Sequence, residues 1–319
     1  MNPQKKITQK HRNKAYGCLI GMFIGDALGA IVEFEDSEHI QWKFPKGVRE
    51  FGDPGVWKLA PGQITDDSEM ALAMIQSILK NGKYDAKEAK RAYIEWRNTA
   101  PFGIGGTIKK ALSGKYDRSS QANGAMMRAA PLGILGLAFP DKIINWAEED
   151  CKITHVNRVC SDANKVFVMA LYTCLATDKS PLKVYEFILG LAKKRYVAPT
   201  VLEALTNARK YQPDDYQTQM GWVLIALQNA FWQLLHAENF EDGVVSTINC
   251  GGDTDTNGAI VGALLGAYYG IGAIPQKWQD TVLNCEPQYG SQDTQYPRPE
   301  WLWPTNAKKL VRQLIKLGS

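Results

Sequence analysis

Two runs of glycine at four-residue spacing constrain this chain more than any other feature. Gly17, Gly21, Gly25 and Gly29 punctuate the apolar stretch Tyr16–Ile31, and Gly258, Gly262, Gly266 and Gly270 punctuate Cys250–Gly270, CGGDTDTNGAIVGALLGAYYG. Residues four apart share one broad face of a helix, and a face without side chains lets a second backbone approach closely. The pattern predicts two tightly packed helices near the centre of the fold, with ends that bring Asp26 and Glu33 towards the loop of Asp253. The second run carries no charge between Asp255 and Gly270, so its helix should be buried with acids at its N-terminal end. Buried carboxylates cost free energy unless they are paired or hold a cation.

Helical patterning continues along the chain. Ser68–Lys80 has Ser68 or Asp67 as N-cap and Asn81-Gly82 as stop, and Asp85–Arg97 is amphipathic. Further helical patterns cover Gly133–Leu137, Ile143–Asp150, Asp162–Thr177, Pro181–Lys193, Val201–Lys210, Gly221–His236, Phe240–Asn249 and Ala307–Leu317. No run of alternating Val, Ile and Thr lies between turn residues, so no sheet is expected. Loops are expected at Glu35–Gly62, Ala100–Gly106, Gly114–Gly124, Tyr211–Thr218 and Asn284–Pro304. With no Pro/Ser-rich linker and no internal repeat, the expectation is all-α: a compact single-domain orthogonal helical bundle over 15–319 behind a polar N-terminal arm, 1–14.

Composition excludes several classes. Net charge is +4 and dispersed, which argues against a nucleic-acid partner but does not repel a diphosphate. The basic N-terminus is not followed by an apolar h-region with a cleavage site, and the apolar stretches are broken within the ~20 residues a membrane span needs. Six cysteines are scattered without a CxxC, which fits reduced thiols. A cytoplasmic, monomeric protein with no membrane partner is therefore expected.

Two oxygen-rich clusters carry the chemistry. Thr65-Asp66-Asp67-Ser68-Glu69 opens an apolar helix, and its adjacent acids either cap that helix or form half of a cation site. Asp253-Thr254-Asp255-Thr256 alternates acids and hydroxyls at a loop-to-helix junction, as an Asx turn or an oxygen cage. Oxygen donors without histidine favour Mg²⁺, Mn²⁺ or Ca²⁺ over Zn²⁺, and two such ions would suit a displacement at one centre. Asn123-Gly124 is either a plain turn or a turn whose backbone N–H groups hold a phosphate, and Gly251-Gly252 admits the same pair of readings. Glu33, among apolar residues, is a solvated helix end or an acid with a raised pKa fit for proton transfer. His155 is a structural histidine or a ligand contact.

The ordered segments GDALGAIVEF, PGQITDDSEMALA, NGAMMRAAP, ITHVNRVCSDA and the Cys250–Gly270 run resemble the ADP-ribosylglycohydrolase family, from Tyr16 to Trp278, with the dinitrogenase reductase-activating glycohydrolase type as nearest branch. That resemblance implies an all-α fold with a central binuclear metal cleft holding two divalent cations, Mg²⁺ or Mn²⁺. It maps metal ligands onto Thr65, Asp66, Asp67, Asp253, Asp255 and Thr256. It implies Glu33 and Asp67 as catalytic acids, and Asn123, Gly124, His155, Gly251 and Gly252 at the ADP-ribose. Trp222 falls where relatives carry an aromatic residue, for stacking on substrate or as a core side chain. The implied activity is metal-dependent removal of ADP-ribose from protein side chains, foremost from the N-glycosidic bond to arginine. Arginine-specific relatives carry an acid in a Pro-x-Asp-x-Gly context, where this chain has Pro101-Phe102-Gly103-Ile104-Gly105. They also carry acids just ahead of the Asn-Gly turn, where this chain reads Asp117-Arg118-Ser119-Ser120-Gln121. These departures leave open another linkage, to serine, nucleic acid or O-acetyl-ADP-ribose. A binding module that occludes an ADP-ribosyltransferase through the arm 1–14 is the reading from a different class.

Overall fold

The computed structural model describes residues 7–195, 197–291 and 294–317, and among these fifteen α-helices carry the fold with no strand. In chain order they are α1 (Gln9–Gly29), α2 (Ser37–Lys43), α3 (Asp66–Asn81), α4 (Ala86–Asn98), α5 (Gly106–Leu112), α6 (Ala130–Leu135), α7 (Ile143–Thr154) and α8 (Arg158–Ala176). They continue as α9 (Pro181–Lys194), α10 (Pro199–Asn207), α11 (Val223–His236), α12 (Phe240–Ile248), α13 (Thr254–Tyr269), α14 (Gln276–Leu283) and α15 (Ala307–Lys316). Short polar side chains start most of the helices that frame the site. Thr8 caps α1, Asp36 caps α2, Thr65 caps α3, Asp85 caps α4 and Asn157 caps α8. Gly82, in the left-handed conformation, ends α3.

The glycine runs do what their spacing predicts. Helices α1 and α13 pack antiparallel, Gly17 against Gly266, Gly21 against Gly262 and Gly25 against Gly258. A Cβ on Gly25 would lie 1.9 Å from the Gly258 carbonyl oxygen, and one on Gly21 would lie 2.4 Å from that of Gly262. Only hydrogens fit between these backbones. The antiparallel sense sets the C-terminal end of α1 beside the N-terminal end of α13. Thr254 Oγ1 closes that junction by donating to the Gly29 carbonyl at 2.7 Å.

Around this pair the remaining helices build one continuous apolar core. Helix α8 is, among the described residues, the one helix long and apolar enough to cross a membrane, yet 72% of that stretch is buried inside the fold.

Several expectations need correction. Residues 9–14 are not part of an arm but the first turns of α1. Lys14 is buried there and donates to the carbonyls of Cys174 (2.8 Å) and Thr177 (2.7 Å). Of the arm expected at 1–14, residues 1–6 lie outside the described residues. The loop expected at Glu35–Gly62 contains α2, and α5 and α14 were not anticipated. At seven or eight residues these helices are too short for an apolar period to stand out. Helix α11 starts at Val223 rather than Gly221 because Trp222 pairs with Ala122 in an isolated antiparallel bridge.

Candidate active site

Three helix ends meet at one point: the C-terminal end of α1 and the N-terminal ends of α3 and α13. They bring together Asp26, Glu33, Asp66, Asp67, Asp253 and Asp255, all buried. None of the ion pairs among the described residues involves any of these six carboxylates. Thr65 joins the two sequence clusters, since its hydroxyl lies 3.1 Å from Asp67 Oδ2 and 3.4 Å from Asp255 Oδ2. Glu33, Asp253 and Asp255 form a second grouping, with one oxygen from each lying within 4.8 Å of the others.

Asp253 occupies the N-cap position of α13 but makes no capping bond. Its Oδ2 instead accepts from the Asn123 amide at 2.7 Å, so the carboxylate is turned into the site. Asp67 Oδ1 is buried with no hydrogen-bond partner. Thr256 N–H donates to Asp255 Oδ1 at 2.7 Å, which fixes that carboxylate's rotation.

Burial and mutual repulsion raise the acids together. Desolvation pushes Asp26 up to about 7, against hydrogen bonds from Thr65 and Ser68 that pull it down. Glu33 is also pushed up to about 7, first by desolvation and then by the charges of Asp253 and Asp26, while the Trp57 indole bond opposes the rise. Asp66, Asp67 and Asp255 lie well above the ordinary carboxylate range, first through desolvation and then through the charges of neighbouring acids, foremost Glu33 for Asp66 and Asp255 and Asp26 for Asp67. An orphaned carboxylate oxygen and a set of buried acids without a cationic partner fit a divalent cation bound through oxygen. Thr65, Asp66, Asp67, Asp253, Asp255 and Thr256 are the residues that would hold it, with Glu33 at hand beside Asp253 and Asp255.

Trp57 was not anticipated, and Asp26 was expected to approach the Asp253 loop but was given no role in the site. Asp26 braces the site: its carboxylate accepts from the Thr65 and Ser68 N–H groups at 3.1 Å, locking the first turn of α3 onto α1. Trp57 donates its indole N–H to Glu33 Oε2. The only sequence signal for Asp26 is a lone acid in an apolar glycine helix. Trp57 has none.

The expected ADP-ribose contacts fall into different settings. Asn123-Gly124 reaches the cluster through Asp253, and the turn is anchored from behind by buried Arg128, which donates to the Gly124 carbonyl at 3.1 Å and pairs with Asp150 at 3.0 Å. His155 is fully buried behind this turn, its Nε2 without a partner and 3.5 Å from where a Gly124 Cβ would stand. Burial, then the charge of Arg128, pulls its pKa down to about 3, so the ring is neutral. Gly251 and Gly252 have φ of +75° and +76°, and their close approach is taken by the chain itself: Glu35 and Gln217 crowd the first, Tyr216 the second. Trp222 is half-buried, bonded to Gln121 Oε1 at 2.9 Å. It borders a cleft of about 690 Å³ with Tyr211, Asp214 and Gln219, whose lining includes none of the six carboxylates.

Comparison with known proteins places this geometry. The ADP-ribosylglycohydrolase family profile matches residues 7–312. The chain belongs to the ADP-ribosylglycohydrolase family. It is 29% identical to the ADP-ribosyl-[dinitrogen reductase] glycohydrolase of Rhodospirillum rubrum, over 83% of this chain and 89% of that one. It is 28% identical to the ADP-ribosylarginine hydrolase Tri1 of Pseudomonas putida, over 85% and 74%. It is 23% identical to the human ADP-ribosylhydrolase ARH3, over 85% and 89%. A solved structure described as an ADP-ribosylglycohydrolase-related protein complex superposes with a TM-score of 0.78 at 27% identity, covering 98% of this chain and 100% of the other. The family hydrolyses ADP-ribose linkages with a divalent metal, and the buried acid cluster is where this member has the oxygen donors for one.

Proposed function

We propose that this protein releases ADP-ribose from mono-ADP-ribosylated protein side chains, with the N-glycosidic bond to arginine as the linkage and Mg²⁺ or Mn²⁺ as a pair of bound ions. The observation that carries the reading is the convergence of six buried carboxylates, without a cationic partner among the described residues, on the ends of three helices. Divalent cations held there supply positive charge to ribose hydroxyls and acidify a water. The remaining work falls to the side chains. Glu33 stands beside Asp253 and Asp255 to exchange a proton, and the Trp57 indole fixes which of its oxygens is free to do so. Asp67, with one unbonded oxygen, is the second acid of the pair. Asn123 orients Asp253, and the Asn123-Gly124 turn offers its backbone to the pyrophosphate and ribose, with Trp222 as an aromatic contact nearby.

Hydrolysis is favoured over occlusion of an ADP-ribosyltransferase because residues 9–14, which would have formed most of the described part of an inserting arm, are tied into α1. The test is release of free ADP-ribose from a protein modified on arginine, with Mg²⁺, with Mn²⁺ and with EDTA. Metal-dependent release is expected. A folded, metal-loaded sample that releases none overturns the arginine linkage.

A further inference from the structure

Beside the acid cluster lies a row of aromatic side chains, of which the reaction above uses only the Trp57 indole N–H. Phe34, Trp57, Phe102 and Tyr296 come from four separate segments. Phe34 meets Trp57 edge-to-face with centroids 6.2 Å apart, Trp57 lies 5.9 Å from Phe102, and Phe102 stacks on Tyr296 at 4.7 Å. The row touches both halves of the site. Trp57 is bonded to Glu33. Gly103, next to Phe102, is placed so that a Cβ would stand 3.2 Å from Asp66 Oδ1 and 4.0 Å from the Trp57 ring.

Phe34 forms the open end. It is 56% exposed, and its φ is +68°, a left-handed conformation that is unfavourable for a residue with a Cβ. Its N–H donates to the Gly252 carbonyl at 2.7 Å, and Gly252 N–H donates to the Glu35 carbonyl at 2.9 Å. The backbone is thus clamped in a strained shape that presents an aromatic ring to solvent.

We propose that this row is the subsite for the leaving group, with Phe34 and Trp57 as specificity-determining residues that hold a planar cation, the guanidinium of arginine. The proposal rests on the arginine linkage put forward above. Hydrolysis breaks the bond between the anomeric carbon and the guanidine nitrogen. The carbon keeps the hydroxyl of the water and the nitrogen takes its proton, so arginine departs as a guanidinium. The occupant follows from the linkage: the group that leaves the anomeric carbon is a planar cation, and a cation over an aromatic face is attracted to it. A flat guanidinium stacks on such faces, as a compact ammonium or a neutral serine hydroxyl does not. The loop that carries Phe102, Pro101-Phe102-Gly103-Ile104-Gly105, contributes no acid, so it offers no carboxylate to select arginine through an ion pair.

The experiment compares two peptides of one sequence, ADP-ribosylated on arginine or on serine, and separates kcat from KM. Phe34→Ala should raise KM for the arginine-linked peptide roughly tenfold and lower the arginine-over-serine preference by the same factor, the scale of one desolvated cation–π contact. Phe34→Trp should restore both. Trp57→Phe keeps a ring but loses the donor to Glu33, so it should lower kcat and keep the preference. Calorimetric affinity for free ADP-ribose reads the rest of the site in each variant. An equal loss for both linkages, or a loss of ADP-ribose affinity that matches the change in KM, makes Phe34 part of the scaffold and overturns the subsite. Wild-type cleavage of arginine with an unaltered preference in Phe34→Ala refutes the subsite alone. Wild-type cleavage of the serine peptide alone refutes the arginine linkage and the subsite with it.

Discussion

Stripping divalent cations from this protein should make its stability fall as the pH rises from 5 to 8, the reverse of what ion-paired acids produce. The sign follows from the raised carboxyl groups. Asp26 and Glu33, each pushed up to about 7 in the folded protein, hold protons that the unfolded chain has released above pH ~4. Where the folded state binds more protons than the unfolded state, the free energy of unfolding decreases with pH. Stability is greatest below the unfolded values and is lost up to the folded values, a window from about pH 4 to about pH 7. For Asp26 the interval from 3.8 to about 7 amounts to about 4 kcal/mol, and for Glu33 the interval from 4.5 to about 7 amounts to about 3 kcal/mol, at about 1.36 kcal/mol per pH unit. Both groups share one field, so their joint loss is on the order of 4–7 kcal/mol, a large part of a typical domain's 5–15 kcal/mol. The assay is urea unfolding in EDTA at pH 5, 6, 7 and 8, repeated with Mg²⁺ and with Mn²⁺. Metal binds the deprotonated site of the folded state alone, so its stabilisation should grow with pH and flatten or invert the slope. Metal-free stability that stays level or rises between pH 5 and 8 would refute the reasoning, because it would mean that burial does not hold these acids protonated in the folded protein.

Three further outcomes follow from the same geometry. Asp66→Asn and Asp255→Ala should abolish turnover, and each should stabilise the metal-free protein above pH 6 by removing one of the repelling charges; full turnover with unchanged metal content would remove both residues from the site. Gly25→Ala places a Cβ 1.9 Å from the Gly258 carbonyl oxygen, a clash with backbone that no rotamer relieves, so urea unfolding should show a loss at or above the roughly 1–3 kcal/mol of core overpacking. Arg298→Ala should cost about 3–5 kcal/mol by leaving Glu69, bonded to Arg298 at 2.6 and 2.9 Å and to Trp96 at 2.7 Å, as an uncompensated buried charge; a loss below about 1 kcal/mol would show that water reaches Glu69.

What the sequence disclosed was set by how local each signal is. The glycine runs were legible because one bare helical face recurs at every turn of each run, and a close backbone contact is what such a face serves. The acid clusters were legible because carboxylates stand next to hydroxyls at the start of apolar helices. Trp57 was not, since its role comes from an indole that meets Glu33 across 24 residues of chain, inside a segment that reads as loop. Helix α2 was hidden because only Ile40 of its seven residues is buried, which leaves no apolar period to detect. Gly251 and Gly252 were legible as positions of close approach, but whether a ligand or the chain does the approaching depends on where Tyr216 and Gln217 fold back, which no local pattern records.

The site and the glycine interface are energetically tied. Asp66, Asp67, Asp253 and Asp255 stand at the N-terminal ends of α3 and α13, where the helix dipoles offset part of the repulsion, whereas Asp26 and Glu33, at the C-terminal end of α1, receive no such help. That help is limited to roughly 0.3–1 kcal/mol per charge, and up to about 2 kcal/mol when partly buried, so it does not cancel the desolvation of six acids. The remainder has to be met by the rest of the fold, and the α1–α13 contact is suited to it. Two backbones packed through glycine gain close dispersion contact without ordering any side chain, so the usual loss of rotamer freedom is absent. The same contact decides where Asp26, Glu33 and Asp253 stand relative to one another. A methyl group inserted at Gly25 or Gly258 should therefore act twice: it should lower stability, and it should weaken metal binding by parting the helix ends, even though neither glycine touches the site's oxygen atoms. Titration of the folded Gly258→Ala variant with Mn²⁺ separates the two effects. Wild-type affinity in a destabilised variant would show that the helix ends keep their spacing by other means, such as the Asp26 brace on α3.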